Sequence, residues 1–373
     1  SYENTIQMIE GFATSEGTEN FARKSSAHKD NFRKIHDLTL SNVGIGTYLG
    51  NPDADTDLQQ KNAIKKSVLY GVNVIDTAIN YRAQKSERTV GKAISELVDE
   101  GKINRNEIFI STKNGYVTND GDAPEDFMQY VMREFGETGI VKEGDISSQY
   151  NCITTPFLED QLARSKKNLG LDCIDLMYLH NSVEGQLQMP RDKFIAQLKN
   201  VFEFFEKHRK EGSIRFYGLA TWECFRVPKD NPNFLSLAQV MDLARQVGGD
   251  THGFRFVQLP YNFSFDQAFM QKNQPLDSNS VTFLEAAIHH DIGVFTSVPL
   301  MQGKLLQWIS SKPELTNQSP SVNALQFVRS TPGVLAPLIG QKLDSHVEEN
   351  LEALKIPPYS EQEFATLFKK LVS

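Results

Sequence analysis

The sequence predicts an α/β fold, a (β/α)8 TIM barrel built as a single domain, with an N-terminal extension and a long loop insertion after the third strand. Three observations predict it. Short apolar runs alternate with helical apolar rhythms through eight strand-helix steps. No antiparallel hairpin signal separates those steps, which favours a closed parallel barrel over an open two-sided sheet. Polar side chains with useful chemistry stand at the C-terminal ends of consecutive strands, where a barrel gathers its site.

Residues 1–36 are polar and weakly periodic, and are expected to form a partly helical extension outside the main fold. The barrel is expected to occupy 37–373. Leu38, Leu40, Val43 and Ile45 read as strand material ending in the turn Gly46-Thr47-Tyr48. Ala63, Ile64, Val68 and Leu69 mark a helix from Leu58 to Tyr70, and Gly71 stands where a left-handed C-cap is wanted. Asn73-Val74-Ile75 then forms a short buried strand ending at Asp76, with Tyr81 five residues on and a helix from Lys85 to Gly101. The next strand, from Ile108, ends in Lys113.

Residues 114–153 are acidic (Asp120, Asp122, Glu125, Asp126, Glu134, Glu137) and carry the aromatics Tyr116, Phe127, Tyr130, Phe135 and Tyr150. So long a connection leaving a strand's C-terminal end is expected to be a lid or substrate wall. Alternation resumes with a helix from Pro156 to Leu169, stopped by Gly170, and a strand from Cys173 to His180. The helix Lys193 to Lys210, stopped by Gly212, leads to the strand Ile214 to Thr221. Helices near Leu235–Val247, Val281–His290 and Val322–Ser330 precede strands at Phe254–Leu259, Ile292–Ser297 and Val334–Gly340. A helix from His346 to Leu354 and a C-terminal helix over 360–372 complete the chain.

A chain of 373 residues is long enough for one large barrel. Its net charge of -8, with no Lys/Arg cluster, argues against a nucleic-acid partner or an anionic membrane surface. No apolar run approaches the roughly 18 residues of a membrane span, and no basic-then-apolar leader opens the chain. Cys152, Cys173 and Cys224 are scattered and give neither a disulfide framework nor a zinc spacing, so a reducing cytoplasm is expected. No HExxH or CxxC spacing points to a metal.

In a closed barrel the strand ends carrying Asp76, Lys113 and His180 converge on one mouth, joined by Tyr81 from a loop. A phenol with an ordinary pKa near 10 is a poor proton donor or acceptor at neutral pH. A neighbouring Lys ammonium favours the phenolate and is expected to bring Tyr81 nearer the working range, while a carboxylate holds the Lys in place. His180 would hydrogen-bond a substrate oxygen and orient it. Such a set suits carbonyl reduction, with hydride arriving at carbon as the tyrosine proton goes to oxygen.

At these residues the chain resembles the aldo-keto reductases. The carrying features are Gly46-Thr47, Asp76-Thr77-Ala78 with Tyr81, Ser111-Thr112-Lys113, and Leu176-Met177-Tyr178-Leu179-His180-Asn181. Gln258 to Asn262, Pro299-Leu300, Gly340 and Glu349-Asn350 support them, so the likeness runs from about Leu38 to Leu354. It implies an oxidoreductase acting on a small aldehyde or ketone with NADP, or NAD in its place. Tyr81 would be the general acid/base, Lys113 and Asp76 its tuning pair, and His180 the substrate orienter. Gly46, Thr47, Pro299, Leu300 and Gly340 would line the cofactor, Gln258 would take the nicotinamide carboxamide, and Glu349 and Asn350 would take adenine. Thr221 stands where the family has an Asn on that carboxamide. Lys342 and His346 lie where a 2′-phosphate wants cationic donors. Tyr48 and Trp222 would face the substrate. A second reading is a cofactor-binding regulatory or scaffold protein of little turnover, like the potassium-channel β subunits; the intact tetrad favours the enzyme.

Overall fold

The computed structural model describes residues 8–297, 319–340 and 344–372, without the side chains of 344–346 and 371–372. In chain order the elements are α1 (Ser15–Lys24), β1 (Phe32–Ile35), β2 (Leu38–Ser41), β3 (Gly44–Gly46), α2 (Ala54–Tyr70), β4 (Val74–Asp76), α3 (Lys85–Asp99), β5 (Phe109–Asn114) and α4 (Phe127–Val131). There follow α5 (Thr155–Leu169), β6 (Ile174–His180), α6 (Ser182–Gly185), α7 (Arg191–Glu211), β7 (Ile214–Ala220), α8 (Leu237–Gly248) and β8 (Phe254–Pro260). The chain continues with α9 (Gln267–Met270), β9 (Gln274–Leu276), β10 (Asn279–Val281), α10 (Phe283–His289), β11 (Gly293–Ser297), α11 (Pro320–Ser330), β12 (Val334–Gly340), α12 (Asp344–Leu351) and α13 (Glu361–Val372).

Strands β3 to β8, β11 and β12 close into a parallel barrel in which each strand lies beside the next in sequence. The ring shuts where Leu338, Ile339 and Gly340 of β12 pair with Gly44, Ile45 and Gly46 of β3. The helix expected from Leu58 begins earlier, at Ala54, and stops where the sequence suggested. Asp53 caps α2 by accepting from the Thr56 amide at 2.8 Å. Gly71 ends that helix at φ 115°, and a Cβ there would also sit 2.3 Å from Ser25 Oγ. Two apolar layers result. One fills the space between strands and helices; the other fills the bore, where Phe109, Phe256 and Phe295 stack with centroids 5.2 to 6.1 Å apart.

Four expectations change here. The described part of 1–36 lies on the barrel instead of outside it. The Ile9 amide donates to Gly170 O at 2.9 Å, and the Ala13 amide donates to Asp175 Oδ1 at 2.7 Å. Asp175 Oδ2 takes Arg105 Nη2 at 2.7 Å and the Ile110 amide at 2.8 Å, so one buried carboxylate ties the N-terminal segment to the barrel floor. Few large apolar residues mark α1 because Gly17 and Thr18 are buried there by close approach.

Leu38 and Leu40 belong to a hairpin of β1 and β2 rather than to a barrel strand. Its turn, His36-Asp37, has φ of 48° and 66°, a geometry that usually advertises itself with Asn-Gly. Both leucines plug the bore from below. A second small hairpin, β9 with β10, occupies the stretch ahead of α10 that had shown no hairpin signal; α10 starts after Thr282, whose side chain caps it in a box with Glu285.

The 114–153 insertion is mostly a buttress. Tyr130 and Phe135 are buried; Phe135 packs on Phe157 of α5 at 5.4 Å, and the Tyr130 hydroxyl accepts from Arg164 Nη1 at 2.9 Å and Gln84 Nε2 at 3.1 Å. Its two roots, at Tyr116 and Asn151, reach the His180 end of β6.

Candidate active site

Strand register brings the polar ends level. Gly46 pairs with Asp76, Asp76 with Ser111, Lys113 with Tyr178, and His180 with Ala220, which in turn pairs with Gln258. Because side chains alternate along a strand, Ser111 and Lys113 share one face of β5, as Tyr178 and His180 share one face of β6.

Lys113 is the hub. Its Nζ donates to Asp76 Oδ2 at 2.6 Å, to Thr77 O at 3.1 Å and to Tyr81 Oη at 2.9 Å. Asp76 Oδ1 accepts from Ser111 Oγ at 2.7 Å and from Gln258 Nε2 at 3.0 Å. The ammonium and carboxylate are both buried, so the pair is viable only because these further bonds fill it. The His180 ring meets Tyr81 edge-on at 6.0 Å and Tyr116 at 4.9 Å, and its Nδ1 is buried with no hydrogen-bond partner among the described residues.

The loop presenting Tyr81 is held by its backbone. The Thr77 and Ile79 amides donate to Ser111 O and Lys113 O, at 3.0 and 3.2 Å, and the Tyr81 amide donates to Ala78 O at 3.1 Å. Arg82, Ala83 and Gln84 then adopt φ of 51°, 51° and 72°, three left-handed residues in a row with no glycine among them. Each such residue costs on the order of 1 kcal/mol or more. Arg82 offsets this by bonding Asn51 O, Gln60 Oε1, Asp53 O and the Asp57 carboxylate. Asn181, next to His180, is left-handed too at φ 44°.

The electrostatics revise one expectation. Burial pushes the Tyr81 phenol above its ordinary value; Lys113 pulls it down as anticipated, but Asp76 pushes it up and the net direction is upward. Tyr81 is therefore a protonated phenol at neutral pH rather than one acidified toward neutrality. Burial pulls Lys113 down, yet Asp76 and Tyr81 outweigh it and hold the ammonium charged. Burial, then Lys113, drives His180 well below its usual range, so its imidazole is neutral.

The other expected residues divide. Thr47 is buried and donates to Asp76 O at 3.0 Å, pinning the turn after β3 to the end of β4. Tyr48 is exposed with its ring edge-on to Tyr81 at 5.2 Å, and Trp222 is partly exposed beside Phe265 at 5.7 Å. Thr221 gives its hydroxyl to Glu184 Oε1 at 2.7 Å. Gly340 ends β12, Glu349 accepts from Ser321 Oγ at 2.7 Å, and the buried Asn350 leaves Oδ1 without a partner among the described residues. Pro299, Leu300 and Lys342 lie outside the described residues; His346 falls within α12, with its side chain outside them. Tyr116 was expected only as one aromatic of the 114–153 substrate wall, and sequence reasoning missed Asn151, whose Nδ2 donates to His180 O at 3.1 Å.

Among the described residues no group of three His, Cys, Asp or Glu side chains would hold a metal, and no helix is long and apolar enough to cross a membrane. The barrel thus gathers Asp76, Tyr81, Lys113 and His180 at the C-terminal ends of its strands, the face on which such folds carry their sites. Residues 42–323 match the Aldo/keto reductase family, and the chain belongs to it.

The NADH-specific methylglyoxal reductase of Escherichia coli is 27% identical over 189 residues, 49% of either chain, so the match spans about half of that relative's length. An uncharacterized oxidoreductase of Bacillus subtilis, YqkF, is 23% identical over 347 residues, covering 89% of this chain and 92% of that one. An aldo/keto reductase of Klebsiella pneumoniae, solved with NADP and acetate, shares the fold at a TM-score of 0.60 and 20% identity, over 91% of this chain and 94% of that one.

Proposed function

We propose that the protein is a carbonyl reductase that converts a small aldehyde or ketone to an alcohol, with Tyr81 as general acid in that direction and general base in reverse. One observation carries the reading: a single buried ammonium bonds both the Asp76 carboxylate and the Tyr81 hydroxyl. Because Lys113 donates to Tyr81 Oη, the phenolic hydrogen is left free for another acceptor. Neutral His180 donates to the substrate oxygen and places it against that hydrogen. As the proton leaves, charge grows on Tyr81 Oη, and Lys113 is already in place to stabilise it; Asp76 keeps the ammonium from moving. Bound reduced nicotinamide supplies the hydride that the carbonyl carbon takes up.

The cofactor reading is NADP, with NAD as the alternative. The unpartnered Oδ1 of buried Asn350 suits a donor such as the adenine amino group, and exposed Gly340 brings no side chain of its own to the end of β12. Gln258, Glu349, Thr47 and Gly46 would hold the rest, with Pro299, Leu300, Lys342 and His346 completing the set. Thr221, its hydroxyl committed to Glu184, would meet the carboxamide only through its methyl group. Tyr48 and Trp222 give the substrate an aromatic wall, which favours an apolar or planar carbonyl compound. Three free, buried cysteines suit the reducing cytoplasm proposed as its compartment.

The test is oxidation of NADPH by a panel of aldehydes and quinones that includes methylglyoxal. Turnover is expected with at least one; no change with any would favour a cofactor-binding protein without turnover. The ratio of KM for NADPH and NADH, in the wild type and in Lys342→Ala, tests the phosphate assignment. An unchanged ratio would falsify it.

A further inference from the structure

We infer that Ser111 and Gln258 are positioning residues for the proton-transfer half of the reaction, acting through Asp76. The inference rests on the proposed role of Tyr81. Gln258 sits on β8, which lies directly across the eight-stranded ring from β4, so its side chain spans the bore to reach Asp76.

The two bonds have a definite electrostatic effect. Asp76 is 2% exposed, and its Oδ2 is filled by Lys113. Ser111 Oγ at 2.7 Å and Gln258 Nε2 at 3.0 Å both fall on Oδ1. They stabilise the anionic form and fix the carboxylate plane so that Oδ2 faces the ammonium. They also draw part of its charge toward the bore, away from Lys113 and Tyr81. Asp76 opposes ionisation of Tyr81 while Lys113 favours it. The donors on Oδ1 therefore weight that contest toward Lys113.

Among the described residues, the groups facing this centre are Lys113 and Ser111 from β5, Tyr178 and His180 from β6, Gln258 from β8, Tyr81 after β4 and Tyr48 after β3. Lys113 and Asp76 form the ion pair of this set. Among the described residues, Ser111 and Gln258 are the side-chain donors on Asp76 Oδ1.

The experiment follows the alkaline limb of kcat/KM for NADPH-dependent reduction of methylglyoxal. In parallel, the Tyr81 phenolate absorbance is titrated in cofactor-free protein, as the difference between each variant and the same variant carrying Tyr81→Phe. Ser111→Ala and Gln258→Leu are each expected to move both readouts to higher pH by about half a unit to one unit, about half the scale of one hydrogen bond to a charged group, because the effect reaches Tyr81 through Asp76. Ser111→Thr is expected to restore the wild-type position. A fall in kcat with both readouts unmoved would show a merely structural role and overturn the inference. Wild-type turnover in Tyr81→Phe would instead overturn the reading beneath it, and this inference with it.

Discussion

Lys113 meets Tyr81 in two ways at once: its Nζ is 2.9 Å from the phenolic oxygen and 4.4 Å from the ring centroid. The cation thus touches both the proton-bearing atom and the π face, with Asp76 fixed behind it at 2.6 Å. Lys113→Met removes the cation and strands a buried carboxylate. A loss of about 3 to 5 kcal/mol in unfolding free energy is expected, along with nearly all turnover. Adding Asp76→Asn should return most of the stability and none of the activity. Denaturant unfolding of the single and double variants checks both statements; equal stabilities would show the pair to be solvated.

Tyr178 is a fully buried phenol in the bore. Burial, followed by Asp76, drives its pKa far above the ordinary value, while the Gln258 side chain pulls the other way. Tyr178→Phe keeps the ring and opens no cavity, so a change in stability of no more than about 1 kcal/mol is expected. Thermal unfolding reads this directly. A loss of several kcal/mol would mean that the hydroxyl carries a strong bond in the bore.

The neutral His180 ties stability to pH. Its folded pKa lies well below 6.5, while in the unfolded chain it takes up a proton near that value. Below that pH the unfolded state binds more protons, so stability falls as pH drops, by about 1.4 kcal/mol per pH unit until the folded pKa is reached. Above it the contribution is level. Melting curves from neutral to mildly acid pH should show a shallower decline in His180→Gln than in the wild type, whereas parallel declines would mean that His180 titrates normally in the fold.

The floor of the barrel offers a separate test. A Cβ on Gly17 would lie 2.2 Å from the backbone oxygen of Asn106, so Gly17→Ala cannot keep α1 seated. Faster proteolysis within residues 8–36 is expected, with a loss of about 1 to 3 kcal/mol typical of overpacking. Unchanged cleavage would place α1 among the loosely attached elements.

These residues also show what the sequence made legible. Period and punctuation gave the barrel, because three of the helix rhythms end at a glycine that turns left-handed, Gly71, Gly170 and Gly212, and each buried strand is too short to be mistaken for a helix. Strand ends carrying Asp76, Lys113 and His180 gave the site. The floor was hidden because α1 docks through small residues, and because the His36-Asp37 turn uses side chains that do not announce their φ. Equally hidden was the balance at Tyr81: the Lys113 effect follows from residue identity, but burial and the direction of the Asp76 carboxylate belong to the packed structure. The left-handed run Arg82-Ala83-Gln84 left no trace in residue type, since its support comes from Asn51, Asp53, Asp57 and Gln60 on another part of the chain.

The most direct test of the central claim is the turnover of Tyr81→Phe in NADPH-dependent aldehyde reduction, with cofactor binding followed separately by protein fluorescence. If Tyr81 delivers the proton, kcat should fall by about two to four orders of magnitude while the cofactor Kd stays within a few fold of wild type. Turnover close to wild type, with the cofactor still bound, would place the proton donor elsewhere and contradict the account.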